Sequence, residues 1–419
     1  MKLKILSLFL MISQFLPAQN DVYLDSLVAA ARRNWPAFRK QLAITGQKEL
    51  IDKIVNVNWY PGINASGQVT YQSEVVTFPE VPNMPDLFPA LQQDNYSVEL
   101  DVNQTLWDGG VSKVSKELKH YENDVDLQQL NVETYNLFGK VNKLYTSVLL
   151  LKENRKTIDL SIVQLDSTIR IMESTVKNGV SLPSELDNLR AEKLLMQKEL
   201  LKLESNIDYT LQTLNIITGL HLTAADRYHL PQLDRLEPSV RPELALLDAK
   251  MKAVQSQADI YKSERFPKFA AFGRLGYGRP GFDFMNTDLH GYYMVGAKFS
   301  WNVWDWNLLN KKRADLGFMV QSMTDAKEVT KKQLEMEQLK YQKDLERYRR
   351  ELEVDKQVVV LKQKVYKTAE SQLANGVITT TEYLKIFNDY KRARIVQNID
   401  RLKIMEAQLD YLYSKGIKY

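Results

Sequence analysis

Two rhythms of apolar and polar residues run along this chain. The first is strict alternation. Ile63, Ala65, Gly67, Val69 and Tyr71 alternate with Asn64, Ser66, Gln68, Thr70 and Gln72; Tyr96, Val98, Leu100 and Val102 alternate with Ser97, Glu99, Asp101 and Asn103. A second pair of such runs covers Phe269 to Tyr277 and then Tyr293, Val295, Ala297, Phe299 and Trp301. Period-two alternation predicts strands with one apolar and one polar face. Each run is about 9–11 residues, the length a tilted strand needs to cross a bilayer. The loops joining the pairs, 73–94 and 279–290, would then lie on one side of the membrane.

The second rhythm is a 3-4 spacing without proline from about 110 to 177. Val141, Leu144, Val148, Leu151, Ile158, Ile162, Leu165, Ile169, Met172 and Val176 form one seam, interrupted by Arg155. The seam recurs 197 residues later through Tyr341, Leu345, Tyr348, Leu352, Val359, Tyr366, Ala369 and Leu373, where Gln338, Asp355 and Lys362 interrupt it. Apolar heptads of this length predict helices packed as coiled coils. At about 1.5 Å per residue, nearly 70 residues make a rod on the order of 100 Å long. Return helices are expected over 184–218 and 380–413, with shorter helices over 24–57 and up to about 264.

The same landmarks occur twice. Trp107-Asp108 and Trp304-Asp305 end alternating runs 197 residues apart, and Asn178-Gly179-Val180 matches Asn375-Gly376-Val377 at the same offset. Pro36 and Pro61 match Pro242 and Pro267 at an offset of 206. The nine-residue difference is assigned to the Pro-rich run 75–89, since loops absorb insertions. Self-similarity at fixed offset marks a duplicated unit. The expected division is a first repeat over 19–219 with a strand pair at 62–106, a linker over 220–239, and a second repeat over 240–419 with a strand pair at 268–304.

Composition narrows the setting. Residues 1–18 have Lys2 and Lys4 ahead of an apolar run too short to span a bilayer, which predicts a secretory signal peptide. Without those two lysines the 56 basic residues fall to 54, against 52 acidic. So balanced a charge gives no footprint for nucleic acid. The chain has no cysteine, which excludes disulfides and thiolate metal sites. If an exported chain like this enters a membrane, it does so by strands. Trp59, Trp107, Trp301, Trp304 and Trp306 lie at or near strand ends, where membrane barrels carry aromatic girdles.

Four strands cannot close a barrel in lipid. The chain must therefore oligomerise, giving eight strands from a dimer, twelve from a trimer or sixteen from a tetramer. The strand end "LWDGG", its echo "VWDWN" and the duplicated strand-pair-plus-helices plan resemble the TolC-like outer-membrane efflux proteins. That resemblance covers essentially the whole mature chain. It implies an α+β membrane protein: a homotrimer with a 12-stranded β-barrel in the bacterial outer membrane and a long α-helical barrel in the periplasm. The implied function is a passive exit duct of a tripartite efflux or type I secretion system, with no cofactor. Its implied partners are outer-membrane lipid, a periplasmic adaptor and an inner-membrane transporter. Trp59, Trp107, Trp301, Trp304 and Trp306 would anchor the membrane interface. Asp108 and Asp305 lie where a helix N-cap is wanted; Gly109 and Gly110 permit the bend, and Trp306-Asn307 must turn without glycine. Asn178, Gly179, Val180, Asn375, Gly376 and Val377 would form the adaptor-contact tips. The family's aperture acids fall on Glu382 and, where an acid is usual, on Lys385, which leaves open a Glu382–Lys385 pair or pairs between subunits; Glu185 and Asp187 lie by the equivalent first-repeat turn.

Other signals point to no chemistry. Gly276, Gly278 and Gly281 fit a dinucleotide fingerprint, but no helix opens after them as phosphate binding requires. His120, His221, His229 and His290 are scattered without zinc spacing, and no nucleophile elbow occurs, so no enzyme is expected. A soluble periplasmic coiled-coil adaptor would explain the heptads but not four amphipathic strands at matched positions.

Overall fold

A computed structural model describes residues 20–77, 91–231 and 240–417. The signal peptide, most of the Pro-rich run and part of the linker lie outside the described residues. The described residues form two compact units, each drawing on both halves of the sequence: one lies within 1–41, 129–245 and 328–419, the other within 42–128 and 246–327.

In chain order the elements are β1 (Asp21–Val22), α1 (Leu24–Asn34), α2 (Arg39–Asn56), β2 (Gly62–Tyr71), β3 (Asp94–Trp107), α3 (Val111–Lys177), α4 (Pro183–Thr218), β4 (Arg227–Tyr228), α5 (Pro242–Ser263), β5 (Lys268–Arg279), β6 (His290–Ser300), α6 (Leu308–Ala374) and α7 (Thr380–Ser414). Both long helices, α3 and α6, have 67 residues and begin 197 positions apart. The helix expected over 24–57 is broken. Trp35 is extended (φ −70°, ψ 126°) ahead of Pro36, which opens a 3-10 turn, Pro36–Phe38. Proline's missing amide and its clash with a helical predecessor account for the interruption.

The second unit contains one antiparallel sheet in the order β2-β3-β5-β6. Its register aligns the alternation of all four strands. Ile63 faces Val102, Leu100 faces both Ala65 and Leu275, and Leu275 faces Tyr293. One face is thus apolar along its middle, with Gln104 at one end and the Asp94–Arg279 pair at the other, yet Ile63, Val69, Tyr293 and Val295 are each at least 67 % exposed. The expected second-repeat strand end needs correction. β3 runs to Trp107, which pairs with Phe269 across a bulge, but β6 stops at Ser300. Ser300 already faces Lys268, the first residue of β5, so 301–305 have no ladder partner among the described residues. "VWD" is therefore extended chain beyond the sheet.

The first unit holds two helical cores. One gathers Leu24, Leu27, Val141, Tyr145, Val148, Leu211, Leu214, Met405 and Leu409 from α1, α3, α4 and α7. Tyr145, fully buried, donates its hydroxyl to the carbonyls of Val22 and His229 at 2.9 and 2.5 Å. The other core joins Leu165, Ile169 and Met172 with Leu186, Leu189 and Met196, and with Tyr366, Tyr383, Phe387 and Tyr390.

The polar interruptions of the seams meet answering groups. Arg155 lies 3.1 Å from Glu204 on α4. Gln338 donates to the Ser414 carbonyl at 3.3 Å, and Lys362 pairs with Asp389 at 2.7 Å. Asp355 instead faces another acid, Asp400, which is 3.3 Å from Lys403. Burial first, then Asp400 and Glu351, hold the Asp355 carboxyl above its ordinary range, while Lys403 opposes them. A carboxyl raised in the folded state binds its proton more tightly there, so lowering the pH through the folded value adds stability. Asp355→Asn removes that half-buried charge. It is expected to raise the thermal midpoint at pH 7.5 by roughly 1–2 °C, the scale of a solvent-discounted sub-kcal/mol gain in a large chain. The variant should also lose part of the gain the wild type shows on mild acidification. Calorimetry in detergent at several pH values checks both.

Candidate functional site

Two regions carry the residues that the sequence singles out. In the sheet-bearing unit these are the junctions where strands give way to helices. Asp108 accepts hydrogen bonds from the amides of Gly110 (2.9 Å) and Ser112 (2.7 Å). Asp305 does the same for Asn307 (2.9 Å) and Leu309 (3.0 Å). Amide hydrogens without intrahelical partners are satisfied in both places. Those bonds, Leu309's first, hold the Asp305 carboxyl below its ordinary range.

The turn that follows is the same in both halves although the residues differ. Gly109 and Gly110 have φ of 76° and 86°, and Trp306 and Asn307 have φ of 54° and 62°. Only at the first is glycine required twice over, because a Cβ on Gly109 would stand 2.9 Å from the Ser263 carbonyl oxygen. Trp306 takes the left-handed conformation with its ring 79 % exposed, a strained backbone that costs about 1–2 kcal/mol. Its indole meets Trp304 edge-on at 5.8 Å. Trp301 donates its indole N–H to the Arg265 carbonyl at 3.0 Å, and Trp107 packs near Phe266 and Phe269. The Trp59 carbonyl accepts from the Gln104 side chain at 3.0 Å.

The second region is the pair of helix-to-helix turns in the helical unit. Gly179 and Gly376 have φ of 72° and 67°. The Val180 amide donates to Thr175 O and the Gly179 amide to Val176 O; Val377 and Gly376 repeat this with Gln372 O and Leu373 O. These are Schellman caps, which explains Asn-Gly at each turn. Val180 and Val377 are exposed.

The acids beside the turns are engaged in caps. Glu382 reaches back to the Thr379 amide at 3.0 Å while its own amide donates to the Thr379 hydroxyl, a capping box. The Glu382–Lys385 ion pair does not form, because the carboxylate turns toward Thr379 instead. Glu185 on α4 accepts from the amide of Thr380 at 2.9 Å and from its hydroxyl, so a first-repeat acid caps a second-repeat helix. Asp187 lies 3.7 Å from Arg190 and is largely exposed, as is Lys385. Behind these turns the aromatic group of the second core is fully enclosed. Tyr383 and Phe387 have no exposed surface, Tyr366 stacks on Tyr390 at 5.2 Å, and the Tyr383 hydroxyl is 2.9 Å from that of Thr168.

The comparisons with known proteins fit this geometry. Residues 53–220 match the model of the family described as "Outer membrane efflux protein". That stretch takes in β2, β3, the whole of α3 and the α4 return. The match covers 168 of the 419 residues, so it shows a likeness to that family over the first strand pair and the first helical hairpin. The pyoverdine export outer membrane protein OpmQ of Pseudomonas putida is 24 % identical over 282 residues, 62 % of this chain. The match spans 57 % of that relative's length. Among solved structures, the outer membrane protein VceC of Vibrio cholerae gives a TM-score of 0.72 at 14 % identity, covering 94 % of this chain and 96 % of that one. The Campylobacter jejuni CmeC outer membrane channel gives 0.70 at 14 % identity, covering 94 % and 85 %. The likeness in fold, four strands and two long helical hairpins in this chain, therefore extends over nearly all of this protein.

Two groups escape a reading of the sequence alone. The enclosed aromatics are spread over α6 and α7 and look like ordinary seam residues. A second group, Glu99, Asp101, Arg274 and Tyr292 on the polar face of the sheet, needs the strand register before its members become neighbours. The only sequence signal was an arginine placed in an otherwise apolar run.

Proposed function

We propose that this chain is an outer-membrane exit duct of a tripartite efflux or type I secretion system. Three copies close a 12-stranded barrel in the outer membrane, and their helices form the periplasmic conduit. The carrying observation is the sheet: its apolar face is exposed along four bilayer-length strands, and β2 and β6 each have one edge unpaired among the described residues. An open edge of this kind is tolerated in lipid only when another chain completes it. The same edges, left free in water, would invite aggregation.

The helices support a neighbouring copy as well. Val354, Val358, Leu361 and Val365 leave a second apolar seam exposed on α6 at 4-3-4 spacing, and Leu194 and Leu201 do so on α4. Among the described residues no helix is long and apolar enough to cross a membrane, so the proposed span rests on strands. The exposed tryptophans at the strand ends suit the headgroup level, where an amphipathic ring is favoured. Exposed Val180 and Val377 at the two turns offer apolar contacts to a periplasmic adaptor, which would couple the duct to an inner-membrane transporter.

In this proposal the turns of α6 and α7 border the periplasmic aperture. Glu382 and Glu185 act there by holding helix starts, with Lys385 exposed and Asp187 beside Arg190. Planar-bilayer recording tests the assignment. Glu382→Ala, which undoes the capping box, and Lys385→Ala, which removes a charge, are each expected to change single-channel conductance relative to wild type. Unchanged currents in both would remove these residues from the aperture.

A further inference from the structure

The polar face of the sheet carries a network of charge whose members come from three strands. Asp101 on β3 is the direct register partner of Arg274 on β5. The guanidinium donates from Nε to Asp101 Oδ1 at 2.7 Å, and its Nη1 lies 3.2 Å from Glu99 Oε2. Glu99 is two residues from Asp101 and so shares its face. Tyr292 reaches the same carboxylate from β6. Its ring lies over Gly276 of the intervening strand, where a Cβ would stand 2.2 Å from ring carbons, and its hydroxyl donates to Glu99 Oε1 at 2.8 Å. Gly276 is thus what lets an aromatic cross β5.

The network is not sealed. Glu99, Asp101 and Arg274 keep 20, 22 and 36 % of their side-chain surface exposed. Two carboxylates share one guanidinium, which leaves one negative charge per chain at this level. The lysine on the same face of β6, Lys298, is paired with Ala270, four residues along the strand from Met294, the partner of Arg274. At about 3.3 Å per residue that is roughly 13 Å away, beyond the screening length of about 10 Å at 0.1 M salt. It does not cancel the local excess.

We propose that Glu99, Asp101, Arg274 and Tyr292 form a charge filter on the inner wall of the strand barrel, which favours inorganic cations over anions and in which Arg274 tempers the preference. The filter rests on the duct proposed above, since only a closed barrel turns this face inward. Repeated in three chains, the excess carboxylate makes a ring of the kind that selects cations in other pores.

The test is the reversal potential of the full-length protein in planar bilayers under a KCl gradient centred near 0.1 M. Arg274→Gln leaves two uncompensated carboxylates and should raise the K+/Cl− permeability ratio about twofold or more. Glu99→Gln leaves the balanced Asp101–Arg274 pair and should lower it by a similar factor. Arg274→Lys keeps the charge and should stay near wild type, and it carries the test with Glu99→Gln if Arg274→Gln fails to assemble. All shifts should shrink at 1 M KCl, where the screening length is about 3 Å. Conducting variants that keep the wild-type ratio would overturn the filter. A wild-type protein that inserts but passes no current would instead overturn the duct.

Discussion

Val295→Arg should cost about 2–4 kcal/mol in a lipid bilayer, the penalty for arginine at the midplane of a strand barrel's outer face. Val295 is central in β6, its side chain is 77 % exposed, and the residue it faces across the strand is Gly273 on the same apolar side. The matched control is Asn64→Arg, on the polar face opposite Asp101, where a charge would meet water and a carboxylate. Unfolding from lipid vesicles by urea measures both. The two substitutions place the same side chain on opposite faces of one sheet, so their difference reports which face meets lipid. Were the sheet bathed in water on both sides, Val295→Arg would behave as a surface substitution, within about 0.5 kcal/mol.

Phe387→Ala is the second large effect. Phe387 is wholly buried and touches the Tyr366 and Tyr383 rings at centroid distances of 5.7 and 6.0 Å. Removing a buried phenylalanine costs about 3–5 kcal/mol, through lost transfer energy and the cavity left behind. The cost should fall on this end of the helical unit, because the same core includes Leu165 and Met172 of α3 and Leu186 and Leu189 of α4. Hydrogen exchange should therefore show protection lost around α3 170–177 and α7 380–390, with Tyr145 and its neighbours unaffected. Val377→Ala, at an exposed turn, serves as the silent control.

The two rhythms were legible because each follows from one geometric period. Alternation located all four strands; the 3-4 spacing located the first 67-residue helix to within a residue or so at its ends and the seam of the second. Asp108 and Asp305 could be read as caps because a carboxylate before a helical run has a local job, set by amides two and four residues on. What depended on distant partners was less legible. β6 ends at Ser300 because β5 begins at Lys268, a fact of pairing that "VWD" does not contain. Glu382 reads in sequence as an aperture acid, whereas Thr379, three residues before it, recruits it into a capping box. Glu185 caps a helix 195 residues away, and Arg274 meets two acids of another strand; neither contact has a local signature.

The most direct test of the central claim is the detergent-corrected mass of the mature protein extracted from the outer-membrane fraction, measured by light scattering. A mass of three chains is expected, twelve strands in all. A monomer or dimer that stays soluble without detergent would contradict it, because the exposed apolar face and open edges would then be satisfied in water.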